Sequence, residues 1–319
     1  MNSKTTRGNQ IAWGVSVLAV VLLALVPPIS SAIGSPYTMI LMTAIIMYAT
    51  LTVSWVMFSG PTGNVSLAPA AFMGMGIYTA AVLGKVLPLP LVILIGAAVS
   101  FVLALLVGAL TLRLKGLYFS IFTFGLVLLV RQLVLWYEAR FTHTRGRFVV
   151  VIDNTIIFYV MLGIFVVLLL TAYLLRRSKW GAALESIGED EEAAAHTGVN
   201  VTAVKTIIFA VSALFMGATG AIMATKWTYI DSYIAFDPFF SFMPVLMAVF
   251  GGMGTFFGPI LGASVFGLLE ELLLTEFPFY YMLLFGATLV VAITYLPNGL
   301  VGLAKKWTKG GRTKNHANS

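Results

Sequence analysis

Glu189, Asp190, Glu191 and Glu192 form the longest unbroken run of charge in a chain that carries little charge elsewhere. Acid–base chemistry needs carboxylates set against a partner that shifts their pKa, and metal binding needs ligands at fixed spacing. The run supplies neither pattern. His143, His196 and His316 are scattered, and cysteine is absent, which excludes disulfides, thiolate metal sites and cysteine nucleophiles. No G-x-x-x-x-G-K-[ST] phosphate loop occurs, and no Ser-His-Asp or nucleophile-elbow pattern stands out. No cofactor or metal is implied, and the chain does not read as an enzyme. An acidic run without catalytic company is a surface for docking or for solvation.

The elements that position it are apolar. The 319 residues are 60% hydrophobic and 10% charged, with a mean hydropathy of +0.98, whereas a soluble domain is about a quarter charged. This predicts an all-α, polytopic transmembrane helical bundle, because lipid offers no partner to open backbone groups. Spans are expected at Ile11–Val26, Tyr37–Phe58, Val65–Leu83, Pro88–Leu112, Leu117–Tyr137, Thr155–Leu175, Val204–Thr225, Phe239–Phe250 with its glycine-rich continuation, Pro259–Leu274 and Phe279–Leu303. About eight to ten cross the bilayer, since glycine-rich segments can be broken or re-entrant. Residues 1–10 form an N-terminal tail, 11–304 the transmembrane domain with a polar loop over 178–203, and 305–319 a C-terminal tail. The first apolar segment is read as a retained span; the alternative is a cleaved signal peptide ending near Ser30-Ser31-Ala32.

The net charge of +7 does not indicate nucleic-acid binding, because Lys and Arg sit at the ends of apolar runs. With the N-terminus inside, Lys4, Arg7, Arg113, Lys115, Arg176, Arg177, Lys179, Lys205, Lys305, Lys306, Lys309, Arg312 and Lys314 share the inner side. Lys85, Arg131, Arg140, Arg145, Arg147 and Lys226 lie outside or at outer ends. This bias of roughly two to one places both termini and the acidic loop in the cytoplasm.

Within that loop, Ser178 is an expected N-cap, Gly188 an expected interruption, and Glu189–Glu192 place negative charge where a second helix begins. Ala193, Ala194 and Ala195 favour helix, Gly198 suits the left-handed position past its end, and Asn200 can cap the next span. Two readings stand side by side: a helix whose small alanine face fits a groove on a partner, and a solvated acidic connector.

Glu192-Ala193-Ala194, three residues and Gly198 match the EAA-x-x-x-G signature of ABC importer permeases. The wider string ALESIGEDEEAAAHTGVNVTAVKTIIFAVSALFMGATGAIMA resembles the corresponding stretch of branched-chain amino acid permeases of the LivM type. LRLKGLYFSIFTFGLVLL (Leu112–Leu129) and GGMGTFFGPILGA are similar to the same family, and the likeness covers most of residues 40–305. The resemblance implies an inner-membrane importer subunit paired with a homologous LivH-type permease, two ATPase subunits and an extracytoplasmic binding protein. It makes Glu189, Asp190, Glu191, Glu192, Ala193, Ala194 and Gly198 the ATPase-coupling segment. The implied cargo is a branched-chain or related small amino acid, with urea, short amides and small carboxylates as alternatives. A secondary transporter or channel working without an ATPase is the contrasting class; it would need ionisable residues within the spans, which are nearly bare of them.

Two glycine-rich segments, one per half, are expected to line the path or to pack helices. The first holds Gly63, Asn64, Ser66 and Gly74; the family continues Gly-polar-x-Ser-Leu with Gly and then His or Gln, where this chain has Ala68-Pro69. The second holds Gly251, Gly252, Gly254, Gly258, Pro259 and Gly262. Fourfold spacing puts Gly254, Gly258 and Gly262 on one expected helix face. Glu270 and Glu271 are placed at the outer interface, Asp231 and Asp237 on the outer surface, and Arg131 as a snorkelling residue at a span end.

Overall fold

The computed structural model describes residues 22–33, 36–114, 116–277, 279–280, 283 and 286–287. Most of the expected spans Ile11–Val26 and Phe279–Leu303, and all of both tails, fall outside these residues. After a short helix α1 (Val26–Ile33), the long helices are α2 (Pro36–Thr62), α4 (Leu89–Thr111), α5 (Leu117–Tyr137), α6 (Asn154–Arg177), α9 (Val201–Ala224) and α12 (Gly258–Glu276). Shorter ones are α3 (Pro69–Leu83), α7 (Lys179–Glu189), α8 (Glu191–His196), α10 (Ser232–Ala235) and α11 (Phe239–Gly251). Among the described residues seven helical stretches are long and apolar enough to cross a membrane, with Ser232–Gly251 counted as one of them. The chain is a polytopic all-α bundle, as its composition predicts. The exception is a two-residue antiparallel pairing of β1 (Arg147–Phe148) with β2 (Tyr229–Ile230).

Helix α9 is the axis of the bundle, with 83% of its most apolar window buried, against 22% for the stretch containing α5. Small residues bring α3 and α4 against it. A Cβ at Gly76 would overlap the Gly217 carbonyl, one at Gly220 the Met73 carbonyl, and one at Gly217 the Ser100 hydroxyl. Without a hydrophobic drive between helices in lipid, such close backbone approach supplies the dispersion contacts that hold them. Phe209 of α9 then meets Phe58 of α2 at 5.0 Å and Phe72 of α3 at 5.3 Å, with Phe119 of α5 completing the cluster. Exposed apolar side chains on α4, α5 and α6, such as Leu106, Leu129 and Leu174, form the outer wall.

Three expectations need correction. Val65–Leu83 is not one span. Residues 63–68 are non-helical, and α3 is a 15-residue helix that begins at Pro69. Proline is well suited to the first turn, where its missing N–H costs nothing. Gly254 does not share a helix face with Gly258 and Gly262, because it lies in the turn between α11 and α12. Gly188 does not interrupt its helix; α7 runs through it to Glu189, and the break comes at Asp190.

Candidate functional site

The polar arm over residues 178–200 is built by local capping. Ser178 Oγ accepts from the Gly181 N–H at 3.3 Å and donates to the Leu175 carbonyl at 2.7 Å. Asp190 Oδ1 accepts from the N–H groups of Glu192 and Ala193 at 2.9 and 3.1 Å. Asp190 thus satisfies two donors that a helix start leaves open, and Glu191 and Glu192 sit where the macrodipole favours anions. Gly198 has φ +89, and its N–H and that of Val199 reach the Ala195 and Ala194 carbonyls. Asn200 Oδ1 accepts from the Ala203 N–H at 3.1 Å and starts α9.

Tertiary contacts divide the acidic run by role. Glu191 Oε2 lies 2.7 Å from Lys205 Nζ, whose side chain is 3% exposed. Glu191 is therefore the inward anchor of α8 rather than a displayed charge. Ala194 is 1% exposed and also faces inward. Glu189, Asp190, Glu192, Ala193 and Gly198 remain exposed, so the alanine face expected to meet a partner is partly spent within the chain. Leu184 and Ile187 are buried, and Gly188 sits so close to the Pro61 carbonyl that a Cβ would overlap it. The arm is thereby seated on the ends of α2, α6 and α9.

The first glycine-rich break is sealed by side chains. Trp55 Nε1 donates to the Ser66 carbonyl at 2.7 Å, Ser120 Oγ to the Val65 carbonyl at 2.7 Å, and the Leu67 N–H donates to Thr123 Oγ1 at 2.9 Å. Ser241 Oγ of α11 accepts from the Ala70 N–H at 3.1 Å. Gly63 makes the turn with φ +67, while Gly74 packs against Phe236 and the Ala235 carbonyl. Asn64 is partly buried, and its N–H meets Thr62 Oγ1 at 3.3 Å.

The second break is more open. Gly252 reverses α11 with φ +100, and Thr255 Oγ1 accepts from the Gly258 N–H at 3.0 Å to start α12 beside Pro259. Gly251 packs against the Gly258 carbonyl and Gly262 against the Met247 carbonyl, which locks the two helices. Phe250 and Phe266 add an edge-on contact at 4.6 Å. Met253 and Gly254 are exposed. Between this turn, the ends of α2 and α6, and α7 lies a cavity of about 180 Å³.

On the opposite face, Glu138 is fully buried. It accepts from the Gly146 N–H at 3.0 Å and pairs with Arg147 at 3.5 Å, holding β1 where it pairs with β2. Asp231 and Asp237 cap α10 and α11 through the Ile234 and Phe239 N–H groups. Arg131 stands 5.0 Å over the Tyr233 ring. Glu270 is half-buried and accepts from the Tyr48 hydroxyl at 3.1 Å. Among the described residues no group of three or more His, Asp or Glu could hold a metal. Sequence reasoning overlooked Trp55, Thr123, Ser241 and the Gly76, Gly217 and Gly220 seam. For the glycines the signal was the Gly217-Ala-Thr-Gly220 spacing; for the others there was none.

Comparison with known proteins adds to this geometry. Residues 37–293 match the family described as the permease component of branched-chain amino acid transport systems. The chain is 28% identical to the high-affinity branched-chain amino acid transport system permease protein LivM of Salmonella typhimurium, over 95% of this chain and 78% of the relative. It is 27% identical to LivM of Escherichia coli K12 over the same shares. The E. coli K12 LivH permease of that system is 27% identical over 43% of this chain and 44% of its own length. No solved structure matches.

Proposed function

The chain belongs to the permease family of branched-chain amino acid transport systems, and from that premise we propose that it is one membrane subunit of an ATP-driven importer. Its partners are a homologous LivH-type permease, two ATPase subunits and an extracytoplasmic binding protein. The cargo is a branched-chain or related small amino acid. The protein lies in the bacterial inner membrane with both termini and the 178–200 arm in the cytoplasm. Hydrolysis takes place on the ATPase chains, and this chain supplies the path and the lever.

The observation that carries this reading is the arm itself. It is a capped helix pair, exposed along Glu189, Asp190, Glu192, Ala193 and Gly198, yet tied to α9 through the Glu191–Lys205 pair. A solvated connector has no need of a nearly buried lysine as anchor, since desolvating a cation is costly unless it is paired. A push on the arm passes from α8 through Lys205 into the axis of the bundle, and from α7 through Gly188 into the end of α2, next to the first break.

Reconstitution with and without partners is the test. Uptake is expected only with the LivH-type permease, the ATPase subunits, the binding protein and ATP together. ATP-independent uptake by this chain alone would overturn the proposal in favour of a secondary transporter or channel. Gly198→Leu tests the arm. A Cβ there meets nothing within 4 Å, so the cost is the left-handed backbone alone, about 1 kcal/mol. Membrane insertion is expected to persist while ATPase association or coupled transport falls; unaltered transport counts against the assigned role.

A further inference from the structure

The cavity of about 180 Å³ beside the arm has mixed walls. Val53, Met57, Leu184 and Phe256 make it apolar, while Arg176 from the end of α6 and Glu185 from α7 bring opposite charges to it. The ion pairs among the described residues are Arg147–Glu138 and Lys205–Glu191. Arg176 and Glu185 thus border one cavity without neutralising each other. An apolar cavity of about 150 Å³ is large enough to take up benzene, so this one has room for a molecule only slightly larger.

We infer that this cavity is a binding site for a small zwitterion with an aliphatic side chain, its carboxylate at Arg176, its ammonium at Glu185 and its side chain on the apolar wall. The identity of that zwitterion rests on the permease reading: on the arm's face of the membrane it is the transported amino acid after release. The cavity is bordered on one side by α7 and on the other by the 253–256 turn. An occupant bridges the coupling arm and the second break and holds them together. Accumulated product therefore slows further import.

The test uses the full chain in nanodiscs and labelled L-leucine as the probe. Saturable binding is expected, weakened about tenfold or more by Arg176→Gln and by Glu185→Gln, since each removes one charge-assisted contact. Leucinamide, without the carboxylate, and 4-methylpentanoate, without the ammonium, are expected to compete at least about tenfold more weakly. Both altered residues are exposed, so the variants should fold, and their elution and melting profiles verify this. Absence of saturable binding, or binding that ignores both charge changes, overturns the site. Nanodiscs with and without phosphatidylethanolamine separate a soluble amino acid from a zwitterionic headgroup: binding unchanged by the lipid supports the site as stated, and loss of binding to it overturns that assignment. Import by the assembled transporter is measured in parallel. Import without binding overturns the cavity site and leaves the permease reading intact. Charge-dependent binding supports the site even where import fails and the permease reading falls.

Discussion

The two glycine-rich breaks differ in how their freed backbone is satisfied. At the first, residues 63–68, side chains from α2 and α5 supply partners, with Ser241 of α11 meeting Ala70 just beyond, and an aromatic cluster on Phe209 packs alongside. At the second, residues 252–257, hydrogen bonding is local, through Thr255, and Met253 and Gly254 stay exposed beside a cavity. Similar composition thus yields a break bonded to other helices in one half and a locally bonded, exposed turn in the other. Broken backbone in a membrane protein persists only where protein or a cavity satisfies it, and the two breaks draw on different partners. The 178–200 arm adjoins both breaks, through Gly188 on Pro61 and through the cavity wall.

That contrast can be broken or sharpened by substitution. The largest effect is expected at the seam supporting the first break. Gly220→Leu drives a side chain into the Met73 carbonyl and unseats α3 from α9, costing about 3 kcal/mol or more. Loss of monodisperse elution from detergent checks it. Trp55→Phe replaces the buried indole by a smaller phenyl ring and removes the donor to the Ser66 carbonyl, at about 1–3 kcal/mol; an unchanged melting temperature would show that this contact does not hold the break. Ser241→Ala leaves the Ala70 N–H without its partner, costing about 1 kcal/mol, read by the same melt. The smallest effect on stability belongs to the second break. A Cβ at Gly254 meets nothing within 4 Å, so Gly254→Ala should stay within about 0.5 kcal/mol of the parent while altering transport rate. A large loss of stability there would erase the distinction between the breaks.

The parts of this protein that were legible in the sequence are the local ones. Ser178, Gly198 and Asn200 perform the capping roles their types suggest, because a cap is made within three or four residues. The placement of Gly188 and of Gly254 was misread for one reason. Glycine reads as a break or as helix packing by what faces it, and for Gly188 that is Pro61, far away in sequence. Glu191 could not be told from Glu192 in the run, since only the approach of Lys205 sets it apart. The hydrogen bond from Trp55 to Ser66, and that from the Ala70 N–H to Ser241 across 171 positions, leave no periodic trace.

Composition and the length of the apolar runs determined that this chain is a helical membrane bundle, because in lipid a single apolar run of that length satisfies its backbone as a helix. The same local rules determined that its polar arm is a capped helix pair. Only the tertiary structure decided which acidic residue anchors the arm, which glycine break is sealed, and that Arg176 and Glu185 meet at one cavity. Those outcomes depend on close approach between distant segments, and neither propensity nor spacing encodes which backbone will lie across from a given glycine or carboxylate.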